Sequence, residues 1–434
     1  MTGGTAVTLV ARFALVSLNA ILTVVTSRGL GVIGRAIFAE TSNALYLAAA
    51  IPHTGLGIAN GYFAAGRAER GVLVANSMIV SVATFGLSVL VVYIGRLTGL
   101  LADDVTSAVA IIAGVPLITA IGLLSYVLLG SKEIIRYNAI TVLQPLLLLG
   151  LYAVLLLVHR FDVATAIVGL VVSQLPALIL ALRWSLRGVD PSGMRPNAAL
   201  LRRCLSYAGA AQLAGLLVIA NGRIGLYLVD PLAGRAEVGV LSVALVIAEA
   251  LSNLPQSLTV PLFAELSQLS SDGAASIARA ALVSRVGFLT VASLSVPLIA
   301  VTVIASPLIF GGEFLALPTA VLLLVPSIIG MAPRLTSWTY LQSSGRPDLV
   351  VAPAAAGLAV NVLLVMVLVP SFGANGACIA MSGSTVTMAA WLLLRHSKLS
   401  RIPVADLLAP RSTDLLVMFA NLRAIRERAR YRNG

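Results

Sequence analysis

Apolar runs of twenty or more residues recur along almost the whole chain, separated by short polar turns. A helix rises 1.5 Å per residue, so about 20 apolar residues cross the hydrocarbon layer of a bilayer. With that window the pattern predicts twelve spans, at 6–26, 37–62, 71–95, 105–130, 134–158, 162–184, 205–229, 237–262, 281–305, 315–341, 349–369 and 374–395. The longest inner connection, Arg183 to Arg203 with Gly188, Pro191, Gly193 and Pro196, divides them into two sets of six. The expected organisation is an all-α integral membrane protein. A six-helix bundle covers 1–184, a linker 185–204, a second six-helix bundle 205–395 and a basic tail 396–434.

Composition points the same way. Of 434 residues 59% are hydrophobic and only 11% charged, with a mean hydropathy of +1.00, whereas a soluble domain carries about a quarter charged residues. The first apolar run carries Arg12 near its start and has no basic lead-in, so it reads as a retained span and not a cleaved leader. Three histidines and two cysteines argue against a metal cluster or a disulfide framework, and no cofactor is expected. Cys204, beside Arg202 and Arg203, and Cys378, in an apolar run, read as packing residues.

Charge sets the orientation. With both termini inside, 21 of the 29 Lys and Arg residues fall in inner loops and tail, 5 fall outside, and Arg12, Arg223 and Arg334 lie within spans. The net charge of +12 then reflects an anionic inner leaflet and not nucleic acid. In the tail, Ser412 and Asp414 could cap a helix through Leu415, Leu416, Phe419, Leu422 and Ile425, with basic residues from Arg423 to Arg432. Such a helix would lie on the cytoplasmic membrane surface or dock a partner enzyme.

The two halves echo each other. Gly34-Arg35-Ala36 precedes span two and Gly234-Arg235-Ala236 precedes span eight, while Pro52 and Pro255 interrupt the same two spans, at an offset that differs by three. Six spans per half keep both halves in one orientation, so any symmetry axis runs along the membrane normal.

Five segments carry a family resemblance: Ser27-Arg28-Gly29-Leu30-Gly31 with Gly34 and Phe38; Asn221 to Leu251; Ser257 to Ser267; Phe310 to Phe314 (FGGEF); and Gly357 to Ala380, with Asn361, Pro370, Gly373 and Gly376-Ala377. In this order the chain resembles polysaccharide transporters of the multidrug/oligosaccharidyl-lipid/polysaccharide exporter superfamily, most of all the O-antigen and exopolysaccharide flippases. The resemblance implies two six-helix bundles around a central cavity that opens alternately to each side. It also implies a lipid-linked sugar as substrate, a bacterial cytoplasmic membrane, and glycosyltransferases or a polysaccharide polymerase as partners. Gly222 stands before Arg223 where the family often has an acid, which puts ion coupling through that acid in doubt.

The charged residues inside spans suggest the chemistry. A guanidinium at mid-bilayer costs roughly 2.5–3.5 kcal/mol on insertion scales, and it does not shed its proton. Its planar fork pairs with phosphate oxygens, so Arg223, Arg12, Arg28 and Arg334 are candidates to hold the pyrophosphate of a polyprenyl-linked sugar. Alternatives remain: Arg223 pairing with Glu249 or Asp230, Arg12 snorkelling, and Arg28 and Arg35 anchoring at the outer interface. Glu249 is either a coupling-ion site or an arginine's partner, and Glu40 reads as interfacial. His53, after Pro52, together with Asn19, Asn60, Asn221, Asn253 and Gln256, could line a cavity and meet sugar hydroxyls; buried packing and interhelical bonds are the other reading. Asp103-Asp104 reads as a helix cap, and no arrangement supports nucleophilic catalysis, so no enzyme is expected. The rivals to a polysaccharide flippase are a cation-coupled multidrug exporter of the same fold, a peptidoglycan-precursor flippase, and a membrane polymerase or glycosyltransferase.

Overall fold

The apolar runs become helices almost end to end. The computed structural model describes residues 3–65, 70–101, 104–190, 193–268, 273–409, 411 and 414. They form α1 (Gly3–Ala65), α2 (Arg70–Leu97), α3 (Val105–Gly130), α4 (Ile134–Leu157), α5 (Val163–Val172), α6 (Gln174–Ser185), α7 (Ala198–Ala233), α8 (Arg235–Gln268), α9 (Gly273–Phe310), α10 (Leu317–Ser343), α11 (Val351–Ser400) and the short α12 (Val404–Leu408).

Glycine joins the first and the last pair of spans. α1 is broken at Gly31 (φ 68°, ψ −180°) and α11 at Gly373 (φ 53°, ψ −134°), values that side chains rarely adopt. Each is therefore a hairpin with almost no loop. The Arg35 guanidinium donates to Thr26 Oγ1 at 3.1 Å across the first turn, and Ser384 Oγ donates to the Gly357 carbonyl at 2.7 Å across the second. With α5 and α6 continuing one another around Ser173, the described residues supply the twelve predicted crossings. A helix start leaves backbone donors open and favours negative charge. Glu313 Oε2 accepts the Val32 N–H at 2.7 Å and Glu237 Oε2 accepts the Ala374 N–H at 2.7 Å, so each turn is capped by a distant carboxylate.

These turns also fix the repeat. Gly31 and Gly234 both have positive φ and both join two crossings, and they lie 203 positions apart, as do Pro52 and Pro255. The Gly-Arg-Ala echo is thus three residues out of register, and Arg35 is not the counterpart of Arg235.

In the first bundle α3 packs on α1, α2 and α6; in the second α10 and α11 pack on each other and on α7, α8 and α9. The bundles meet where α1 lies against α7 and α8. The linker is gripped by the first bundle. Asn76 Nδ2 donates to the Asn197 carbonyl at 3.0 Å, and Asn197 N–H donates to Asn76 Oδ1 at 2.9 Å, while the Asn197 side chain caps α7. Beyond that cap Cys204, with Leu200 and Leu201, packs into a core of Leu56, Leu73, Leu123 and Val127, all of the first bundle. α7 then breaks at Gly209 (φ 28°) before it joins the second bundle. Asp104 caps α3 by accepting from Thr106 and Ser107 N–H, while Asp103 lies outside the described residues.

Asp414, expected to cap a tail helix, reaches back to the second bundle. Its carboxylate makes a two-pronged bridge to Arg285 of α9 at 2.7 and 2.9 Å, and both side chains are under 8% exposed. A buried carboxylate needs donors, and the guanidinium fork plus the Arg411 N–H supply them. Ser412 and the expected tail helix from Leu415 onward lie outside the described residues. The hydrogen bonds from Arg285 hold Asp414 below the usual carboxylate range. The pair's stabilisation is therefore complete at neutral pH and lost as pH falls below about 4. Removing one partner of a buried pair costs about 3–5 kcal/mol. Asp414→Ala should lower the thermal midpoint in detergent at pH 7, and the gap to wild type should shrink at pH 3.

Candidate functional site

Surfaces of α1 and α4 on one side and of α7, α8 and α9 on the other border two joined hollows between the bundles. On the first arm of α1, Asn19, Thr23 and Thr26 follow at steps of four and three, so they share one helix face. On the second arm Arg35, Phe38, Ser42 and Tyr46 do the same. Arg223 of α7, Glu249 of α8, and Gln144 and Tyr152 of α4 complete a polar chamber of about 220 Å³. A mostly apolar hollow of about 300 Å³ adjoins it, lined by Val16, Val24, Ile247, Val301, Ile309 and Phe310 among others. The two share Asn19, Thr23, Val246 and Glu249. Val301 of α9 is 57% exposed, so the apolar hollow is open along that helix.

The chamber is positively biased. Arg223 Nη2 lies 2.8 Å from Glu249 Oε1, with the two side chains 30% and 49% exposed. Arg35 is 6% exposed and its guanidinium sits 5.6 Å over the Phe38 ring, a cation–π contact. Its Nε has no hydrogen-bond partner, and among the described residues no carboxylate lies within 4 Å of it. Two guanidiniums thus face one carboxylate, and one of the two cations is unneutralised.

The residues singled out by sequence divide sharply. Arg223, Glu249, Asn253 and Asn19 line these hollows. Arg28 does not: its Nε donates to the Ile309 carbonyl at 2.8 Å and its Nη2 to the Leu308 carbonyl, at the end of α9. Arg334 is buried inside the second bundle against the sulfurs of Met331 and Met388. Arg12 is half-buried near Tyr137 of α4, away from either hollow. His53 packs on Gly122 and Tyr126 of α3. Asn60 Nδ2 donates to Ser77 Oγ at 2.9 Å, and Asn221 Oδ1 accepts from Ser384 Oγ at 2.9 Å, so both are interhelical links, as membrane bundles favour. Gln256 is half-buried further along α8, outside both linings. Arg35, read as an outer anchor, is instead the buried cation of the chamber, and Ser42, Tyr46, Gln144 and Tyr152 had drawn no notice. The three- and four-residue steps from Arg35 to Tyr46 were the signal that could have found them.

One end of the seam is closed. Besides the Arg28 and Glu313 bonds, α8 approaches α1 so closely that a Cβ on Gly239 would sit 2.2 Å from the Val32 carbonyl oxygen. Only glycine fits there. Parting the bundles at this end would break all of these contacts together.

No protein-family model matches the sequence, and no curated protein matches it at a significant level. Solved structures match the fold. The lipid II flippase MurJ in an inward closed conformation aligns with a TM-score of 0.72 and 13% identity over 95% of this chain and 91% of that one. An inward-facing multidrug resistance MATE transporter of the MOP superfamily gives 0.70 and 13% over 91% and 94%. An outward-facing MATE transporter gives 0.59 and 14% over 91% and 96%. The chain thus has the two-lobed, all-helical fold of MOP superfamily transporters, and these neighbours are transporters and flippases, not enzymes.

The exposure of the Arg223–Glu249 pair limits its structural worth. Partly exposed ion pairs contribute about 1 kcal/mol or less. A double-mutant cycle of Arg223→Ala and Glu249→Gln, followed by denaturation in detergent, should give a coupling of that size. A coupling near 3 kcal/mol would make the pair a structural strut.

Proposed function

We propose that the chain is a flippase that carries a polyprenyl-diphosphate-linked oligosaccharide from the inner to the outer leaflet of a bacterial cytoplasmic membrane, for surface polysaccharide or exopolysaccharide assembly. The observation that carries this reading is the unneutralised Arg35 in a polar chamber that adjoins an apolar hollow open along α9. A ligand suited to both is an amphiphile with an anionic head. The forks of Arg35 and Arg223 would take the diphosphate, since charge-assisted pairs to phosphate are strong and directional. Asn19, Ser42, Asn43 and Gln144 offer hydrogen bonds to sugar hydroxyls, and the first isoprene units would lie along Val16, Val24, Val301 and Ile309. The lipid II flippase among the structural neighbours supports a lipid-linked substrate.

Transport follows from the seam. With both termini cytoplasmic, the closed end at Gly31, Gly234 and Gly373 faces outward and the opposite end admits the head group. Rocking the bundles breaks the Arg28 and Glu313 contacts and exposes the chamber outside, where the head is released. Glycosyltransferases and a polymerase would act before and after this step.

A second reading, export of organic cations, has Glu249 in its favour, because that carboxylate is half-exposed in the chamber. Binding separates the two. A fluorescent polyprenyl diphosphate should bind the purified protein. Each of Arg35→Ala and Arg223→Ala should weaken it about 10- to 100-fold, the equivalent of one charged hydrogen-bonding group at roughly 1.5–3 kcal/mol. Unchanged binding in both variants, or binding of ethidium that is lost in Glu249→Gln, would favour the cation exporter.

A further inference from the structure

Glu40, on the second arm of α1, is used by none of the preceding steps. It is 1% exposed, and neither carboxyl oxygen has a hydrogen-bond partner. It lies at the seam between bundles, since Tyr227 of α7 donates to its backbone carbonyl at 3.3 Å. The groups facing it are the Tyr227 phenol and Asp230 from α7 and Arg235 from α8. From α3 the nearby polar group is Ser107, hydrogen-bonded at 2.8 Å to Thr41 beside it. Arg235 is committed to Asp230 at 3.1 Å, in a pair that remains 39% and 20% exposed. By helical rise Glu40 lies about 13 Å below the Gly31 turn and Asp230 about 6 Å below Gly234, so the pair forms the rim and Glu40 the sealed interior.

A carboxylate ion in this position would have lost its water without gaining a donor, at a cost of several kcal/mol. Asp230 adds like charge, and its own arginine is already engaged. A neutral carboxylic acid avoids both penalties. Parting the bundles at this end removes α7 and α8 from Glu40 and lets water reach it, which favours the ion.

We propose that Glu40 is a proton-binding site whose protonation locks this end of the seam closed, so that protons arriving from the side on which this end opens drive its closure. The step is a simple proton transfer from water to a carboxylate oxygen and consumes no other reactant. It requires only that the two bundles part at this end, and it holds whichever ligand the chamber carries.

Spin labels on Thr98→Cys and Leu315→Cys, both exposed at this end and on opposite bundles, report its opening in a background of Cys204→Ser and Cys378→Ser. Between pH 5 and 9 the long-distance population should grow relative to the short one as pH rises, by up to about tenfold per unit for one linked proton. Glu40→Gln should hold the short distance at every pH. Asp230→Asn removes the neighbouring negative charge and should keep the response but move its midpoint to lower pH. A wild-type distance distribution that ignores pH, a Glu40→Gln variant that follows pH as wild type does, or an Asp230→Asn midpoint unmoved would each overturn the proposal.

Discussion

A guanidinium enclosed in a lipid-crossing bundle must be given partners, and the architecture turns on how Arg35 is provided for. Its charge is met by a threonine hydroxyl and an aromatic face, with no acid among the described residues. That provision is partial, because a cation–π contact and one neutral hydrogen bond do not replace a hydration shell. The site keeps an excess of positive charge, since two guanidiniums line the chamber with one carboxylate. The seam around it supplies the rest: α7 and α8 bring Arg223 and Glu249 to the other wall, and the tight approach at Gly239 holds those walls together.

Bilayer thickness made the fold readable. It forces each crossing to about the same apolar length, so run lengths alone gave the twelve spans, and charge asymmetry grouped their ends. The joints were less visible. The gaps between spans at 27–36 and 370–373 marked both joints, but hydropathy does not show that a single glycine, Gly31 or Gly373, makes each reversal. The first gap left open where each of its two arginines goes. Arg28 and Arg35 are seven residues apart and would share a face on a continuous helix. The break at Gly31 sends Arg28 to the carbonyls ending α9 and Arg35 into the chamber. No property of either residue separates them, only the turn between them.

Polar residues inside spans carried the other ambiguity. Asn60, Asn221 and His53 have the same composition signal as Asn19 and Asn253, yet the first three hold helices together within one bundle and the last two border the hollow. Partner geometry decides this, and it depends on which helices are neighbours. Glu313 and Glu237 show the converse. Each looks like an ordinary loop or first-turn acid, and each is the cap of a helix start far away in sequence.

The way α7 begins has a mechanical consequence. Its first turns are clamped to α2 by the reciprocal Asn76–Asn197 bonds and cored into the first bundle at Cys204, whereas its far end belongs to the second. The covalent tie between the bundles is therefore a rigid strut with a single joint at Gly209, not a slack tether. A strut of that kind permits tilting about its elbow and resists sliding, so it confines the molecule to one swing.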